Sequence, residues 1–192
     1  MNREQIMTAY SRKLEQIENS RTYSDHAKRV MAAKAYTAAQ DAMNQLREAE
    51  VQQLTSRRSD LRRRMFGHPD TSDAQTLMAR RNATEMAGQL DNPRIAAEEL
   101  NKALQQGDSI MARAIAQRAS DWNWGDVLTT YADTRTDFRR LVDEYNSTPD
   151  PADQNWRLGH NFAHVVPTPD VLGGMPHHQV ASLATQELED VA

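Results

Sequence analysis

Cysteine is absent from this chain of 192 residues, and the first 66 residues contain neither glycine nor proline. Without cysteine there is no disulfide framework and no thiolate chemistry. Without glycine or proline the head of the chain lacks the strongest interrupters of regular structure, so it can run as long helix. Aromatics are scarce, with three Phe and three Trp, and apolar residues make up only 39% of the chain. That is below the roughly 45–50% of typical globular chains and predicts a thin core with much solvated length. No apolar run approaches the roughly 18–20 residues that a membrane span needs. The start, Met1-Asn2-Arg3-Glu4, lacks the apolar centre of a signal peptide. A soluble intracellular protein, not a membrane protein, is expected.

What is present is unevenly spread. Residues 1–66 carry 13 basic and 8 acidic side chains, a balance of +5, whereas 67–146 stand at −4 and 147–192 at −5. A basic head and an acidic tail can attract each other, within one chain or head to tail between copies. Five of the seven prolines follow Asn146. The domain organisation expected is an extended helical arm over 1–66, a compact helical bundle over 67–146, and a flexible tail over 147–192.

In the arm, Ile6, Tyr10, Leu14 and Ile17 repeat at helical spacing. Poor helix formers between Asn19 and Ser24 then dilute the pattern, and Thr22-Tyr-Ser-Asp25 fits a capping box. Either a second helix starts there or one helix runs through with a kink. From about Ser24 to Phe66 the chain reads as one helix of about 43 residues, about 64 Å long. Its narrow stripe calls for a partner, in a helical hairpin or loose bundle before a strict coiled coil. Leu14, Met43, Leu46, Leu54 and Leu61 are the stripe expected to face that partner helix. Gly67 is placed to cap the helix, and Pro69 to end it.

The middle carries clear punctuation: Ser72-Asp-Ala-Gln75 as a capping box, Asn92-Pro93 as a cap before proline, and Gly107-Asp108 as a one-residue hinge. Such short hinges predict antiparallel neighbours. A last helix after Trp124-Gly-Asp126 is expected to run through Leu128, Tyr131, Phe138, Leu141, Val142 and Tyr145. Trp122 and Trp124 are expected to plug the corner. Beyond Asn146 lie isolated anchors in a proline-rich context, which predicts a weakly ordered segment that orders against a surface, the chain's own arm included. Trp156, Phe162, Val165 and Val166 are the docking residues expected there, and a weak amphipathic stretch from Val180 to Leu188 closes the chain.

Chemistry finds little support. His160-Asn-Phe-Ala-His164 places two histidines four apart, with His177-His178 following, but lacks the glutamate of a metalloprotease helix. They are read as surface histidines, so no metal ligand is assigned. No Walker loop, nucleophile elbow or dinucleotide glycine pattern occurs, so no catalytic residue and no cofactor are assigned. Arg57, Arg58, Arg62, Arg63 and Arg64 form the densest basic cluster and would contact phosphate or an acidic partner. No aromatics interleave there to stack on bases.

Arg63-Arg64-Met65-Phe66-Gly67, then Leu104-Gln-Gln-Gly107-Asp108 leading into Ala112-Arg-Ala-Ile-Ala-Gln-Arg-Ala119, and Trp124-Gly-Asp-Val-Leu-x-x-Tyr131 form a further pattern. Over residues 25–145 it resembles small helical proteins that actinobacterial tailed phages and prophages encode among their virion structural and assembly genes. The resemblance implies a non-enzymatic structural or assembly protein of the bacterial host cytoplasm or the virion. Its partners would be virion components or further copies of itself. The alternatives are a nucleic-acid-associated protein using the arginine cluster, and a host-directed protein-binding adaptor. The fold expected is all-α.

Overall fold

The computed structural model describes residues 1–67 and 73–187, and among them all regular structure is helical. The order is α1 (Arg3–Glu18), α2 (Asp25–Phe66), α3 (Ala74–Gly88), α4 (Pro93–Gln105), α5 (Ser109–Asp121), α6 (Gly125–Ala132), α7 (Phe138–Ser147), α8 (Gln154–Ala163), a 3-10 turn (Asp170–Leu172) and α9 (His177–Ala184). No described helix is long and apolar enough to cross a membrane.

Local chemistry sets most boundaries. Asn2 and Gln5 close a reciprocal capping box on α1. The break before α2 is real, and Ser24 rather than Thr22 caps the new helix, its Oγ accepting from the Ala27 amide. Gly67 donates to the Arg63 carbonyl at the end of α2, and any Cβ at that position would run into the same oxygen. Only glycine fits there. Pro69 and Ser72 lie outside the described residues. Asp73 caps α3, Asn92 caps α4 with Pro93 at its first position, and Asp108 caps α5 after Gly107 at φ +72°.

The expected last helix of the bundle is two. Residues 133–137, Asp-Thr-Arg-Thr-Asp, are poor helix formers apart from Arg135 and separate α6 from α7. Thr134 turns its hydroxyl back onto the Tyr131 carbonyl, and Arg135 reaches the Met65 carbonyl at 2.9 Å. Trp124 packs partly into the core, but Trp122 is half exposed beneath the Arg118 guanidinium, 4.1 Å from its ring centre. The corner is plugged by one indole only.

The chain divides into two compact units, and the division differs from the arm, bundle and tail expected from the sequence. One unit is Ser56–Pro149. Its core joins Leu61, Met65 and Phe66 of α2 to Leu100, Ile115, Val127, Tyr131, Phe138 and Leu141. Buried Ala96, Ala112, Ala116 and Ala119 let α4 and α5 approach closely. The other unit combines Met1–Thr55 with the segment from Asp150 onward. There Ile6, Tyr10, Ala32, Ala33, Tyr36, Ala39 and Met43 enclose Val166, Leu172 and Val180. Helix α2 supplies residues to both.

The segment expected to be a flexible tail is therefore a core contributor. Its described part supplies α8, the 3-10 turn and α9, and its surface is the chain's own α1 and α2. Leu188 lies outside the described residues. Tyr10 shows how firmly the segment is held: its hydroxyl donates to the Pro167 carbonyl at 3.1 Å, and its ring tilts against Tyr36 at 6.4 Å. Burial, with the nearby Tyr36 adding to it, pushes the Tyr10 phenol from 10.0 up to about 12. A phenol raised on folding contributes stability that is complete below pH 10 and lost as pH rises towards 12. Ultraviolet titration of the native protein should show a late step from Tyr10, and Tyr10→Phe should remove that step. A late step surviving in the variant would refute the assignment.

Candidate functional sites on the helical unit of α1, α2 and α8

The residues expected to face a partner helix are largely covered by the chain itself. Met43 and Leu61 are buried, in different cores, and Leu14 and Leu46 are half-buried against the first of them. Leu54 is partly exposed. The stripe is therefore not a free interface: its residues before Ser56 pack within one unit, and Leu61 packs within the core of the other.

The arginine cluster is also mostly engaged. Arg57 pairs with Glu144 at 3.2 Å, Arg62 pairs with Asp121, and Arg63 with Asp60 at 2.6 Å. Arg58 lies 4.2 Å over the Tyr145 ring and donates to the Thr148 carbonyl at 2.7 Å. Arg64 is exposed. These side chains tie the end of α2 to α5 and α7, and the hydrogen bond and attraction of Asp121 hold the Arg62 guanidinium in its charged form against its partial burial.

Two surfaces of the unit that combines Met1–Thr55 with the segment from Asp150 onward stand out, and neither follows from the expected stripe. The first is a groove of about 640 Å³ between α1 and α2. Ile6, Ala9 and Tyr10 line it from α1, and Met31, Ala35 and Ala38 from α2, with Lys13 and Lys34 beside them. Alanines at the floor leave room for a helix or a bulky side chain to enter.

The second is α8, which is turned inside out. Leu158 and Phe162, one turn apart on α8, and Val165, just past its end, are exposed by 58%, 70% and 62%. On the opposite side His160 and His164 lie against α2, with Trp156 stacked on His160. Of the four expected docking residues, Val166 is buried in the chain's own core and Trp156 is half-buried, while Phe162 and Val165 point to solvent.

The inward face meets Glu50 of α2. His160 Nε2 lies 2.8 Å and His164 Nε2 3.2 Å from the same Glu50 Oε2. The His160 ring stacks on Trp156, with centroids 4.4 Å apart and planes 18° from parallel. His164, at the C-cap of α8, directs its Nδ1 to the His160 carbonyl at 2.7 Å. The reading of His160 and His164 as surface residues is thus overturned. Sequence spacing put both on one face but could not show that face to be covered, because Glu50 lies 110 residues away. His177 and His178, by contrast, are exposed.

Nothing else with a recognisable chemistry is gathered on these helices. Compared with protein-family models, with curated proteins and with solved structures, the chain shows no match.

Proposed function

We propose that the protein is a non-enzymatic helical assembly protein whose copies join head to tail. The exposed Leu158–Phe162–Val165 face of one copy enters the α1/α2 groove of the next. The observation that carries this is the presence, in one compact unit, of an uncovered apolar helix face and an unfilled apolar groove. An exposed, contiguous apolar face is costly unless something covers it. Charge favours a second copy as that cover: the segment bearing α8 stands at −5 and residues 1–66, which form the groove, at +5. Because the two patches differ, the contact is heterologous and propagates until a ring closes or a partner caps it. Such many-copy, individually weak contacts suit scaffolding or joining roles in a phage particle, the setting implied by the resemblance of residues 25–145.

Light scattering behind size exclusion, over a hundredfold concentration range at low and high salt, tests this. Wild-type mass should rise with concentration, and more steeply at low salt. Phe162→Asp spoils the face and Ala38→Arg fills the groove; both positions are exposed, so folding should be retained. Each variant alone should remain a monomer. Their equimolar mixture should give a two-chain species and nothing larger, since one intact face meets one intact groove. A wild-type monomer at every concentration would overturn the proposal, as would a mixture that stays monomeric.

A further inference from the structure

Helix α8 leaves a second mismatch, on its inner side. The carbonyl of His160 can only accept, so the hydrogen in its 2.7 Å contact with His164 must sit on Nδ1. Neutral His164 then presents a bare lone pair at Nε2. That atom is buried, has no hydrogen-bond partner, and belongs to a side chain only 4% exposed. It lies 3.2 Å from Glu50 Oε2 without hydrogen-bond geometry, so two electron-pair donors stand close with no hydrogen shared between them. His160 Nε2 converges on the same oxygen, and the three ligand atoms all lie within 4.8 Å of one another. Left alone, such a meeting of acceptors is repulsive and leaves a buried nitrogen unsatisfied.

We propose that Glu50, His160 and His164 bind one divalent transition-metal ion of the zinc type, which clamps α8 onto α2. Two imidazoles and one carboxylate suit zinc and its borderline neighbours better than calcium or magnesium, which prefer all-oxygen sets. Ligands bonded to tetrahedral zinc at about 2.0–2.1 Å stand about 3.4 Å apart, so the spacings of 2.8 and 3.2 Å to Glu50 Oε2 need only a small outward adjustment. The support around the ligands is already in place. His164 is oriented by its Nδ1–H bond to a backbone carbonyl, the usual outer contact of a metal-bound histidine, and the His160 ring is held flat against Trp156. The Arg3 guanidinium donates to the Ala163 carbonyl at 3.3 Å and holds the end of α8 near α1. Glu50 is 42% exposed, which gives the ion a route in and leaves a fourth position for water.

The site also explains why α8 turns its histidines inward and its apolar face outward. A metal bond to each histidine makes the inner face the better one to bury. The proposal stands apart from head-to-tail assembly, because uptake of an ion by monomers is measured on the Phe162→Asp variant as well as on the wild type.

The test is zinc titration of chelator-stripped full-length protein against a chromophoric competitor, repeated with cobalt(II) for its visible ligand-field bands. One ion per chain is expected, with cobalt bands of a low-coordinate nitrogen and oxygen site. His160→Ala, His164→Ala and the near-isosteric Glu50→Gln should each weaken binding by more than about tenfold. Circular dichroism checks that they remain helical, and Glu50→Gln keeps the test open if a histidine variant does not fold. His177→Ala/His178→Ala should bind as the wild type does. Absence of uptake, leaving a plain imidazolium–glutamate pair, overturns the site, as does stoichiometric uptake that survives in His160→Ala/His164→Ala.

Discussion

Phe138→Ala should destabilise the Ser56–Pro149 unit by about 3–5 kcal/mol, the usual loss for deleting a fully buried aromatic ring. Phe138 has no exposed surface. Its ring meets Tyr131 edge-on at 4.9 Å and 89°, and Phe66 at 5.6 Å and 66°. Edge-to-face pairs of this kind add to simple burial. The Arg135 guanidinium lies 5.6 Å from the same ring while bonding to the Met65 carbonyl, so the aromatic cluster and the polar tie share one side chain. Phe138 opens α7, Tyr131 lies near the end of α6 and Phe66 ends α2. One substitution thus loosens three helix ends. Urea unfolding followed by circular dichroism measures the loss as a fall in midpoint. Phe162→Ala, which removes the same ring from an exposed site, should change monomer stability by no more than about 0.5 kcal/mol. A cost below about 1 kcal/mol at Phe138 would show that this ring is not the centre of the core.

Leu172→Ala should cost the other unit about 2–5 kcal/mol. Leu172 is fully buried in the 3-10 turn among Ile6, Tyr10, Tyr36 and Met43, held there with Val166 and Val180. Local chemistry supports its placement: Gly173, at φ +35°, closes the turn by donating to the Asp170 carbonyl. The expected signature is regional. Amide exchange should accelerate in α1 and in the part of α2 before Ser56, while α4 and α5 keep their protection. An accessory tail loosely laid on the arm would behave differently, with a loss of a few tenths of a kcal/mol and unchanged exchange in α1. The Leu172 variant therefore separates a tail that decorates the unit from one that completes its core.

The two units differ in what they offer. In Ser56–Pro149 the arginine cluster is mostly spent on the chain's own carboxylates and carbonyls. In the other unit α8 presents exposed apolar residues on one side and, on the other, a buried His164 Nε2 without a hydrogen-bond partner. The two proposals use opposite faces of that one helix, and a metal that fixes its inner face would also hold its outer face in position for a neighbouring copy.

Much of the helix plan was legible in the sequence because it depends on neighbours a few residues away. Asn92-Pro93 and Gly107-Asp108 start and stop helices through their own side chains and backbone preferences, and the absence of glycine and proline before Gly67 permits the 42-residue α2. The split at residues 133–137 was missed because the apolar beat continues across it, while the break is held by Arg135 reaching Met65, 70 residues away. Periodicity marks a face but not what covers it. Met43 and Leu61 share a beat and lie in different cores, and Val166 is buried while Val165, its neighbour, is exposed. On α8 the inference from hydropathy is reversed: leucine and phenylalanine face water, and the histidines face α2. Helix identity and most helix ends were thus determined by local sequence. Tertiary packing alone decided which faces are buried and brought Glu50 to His160 and His164, because burial is a property of the whole set of competing surfaces and no residue carries its partner's address.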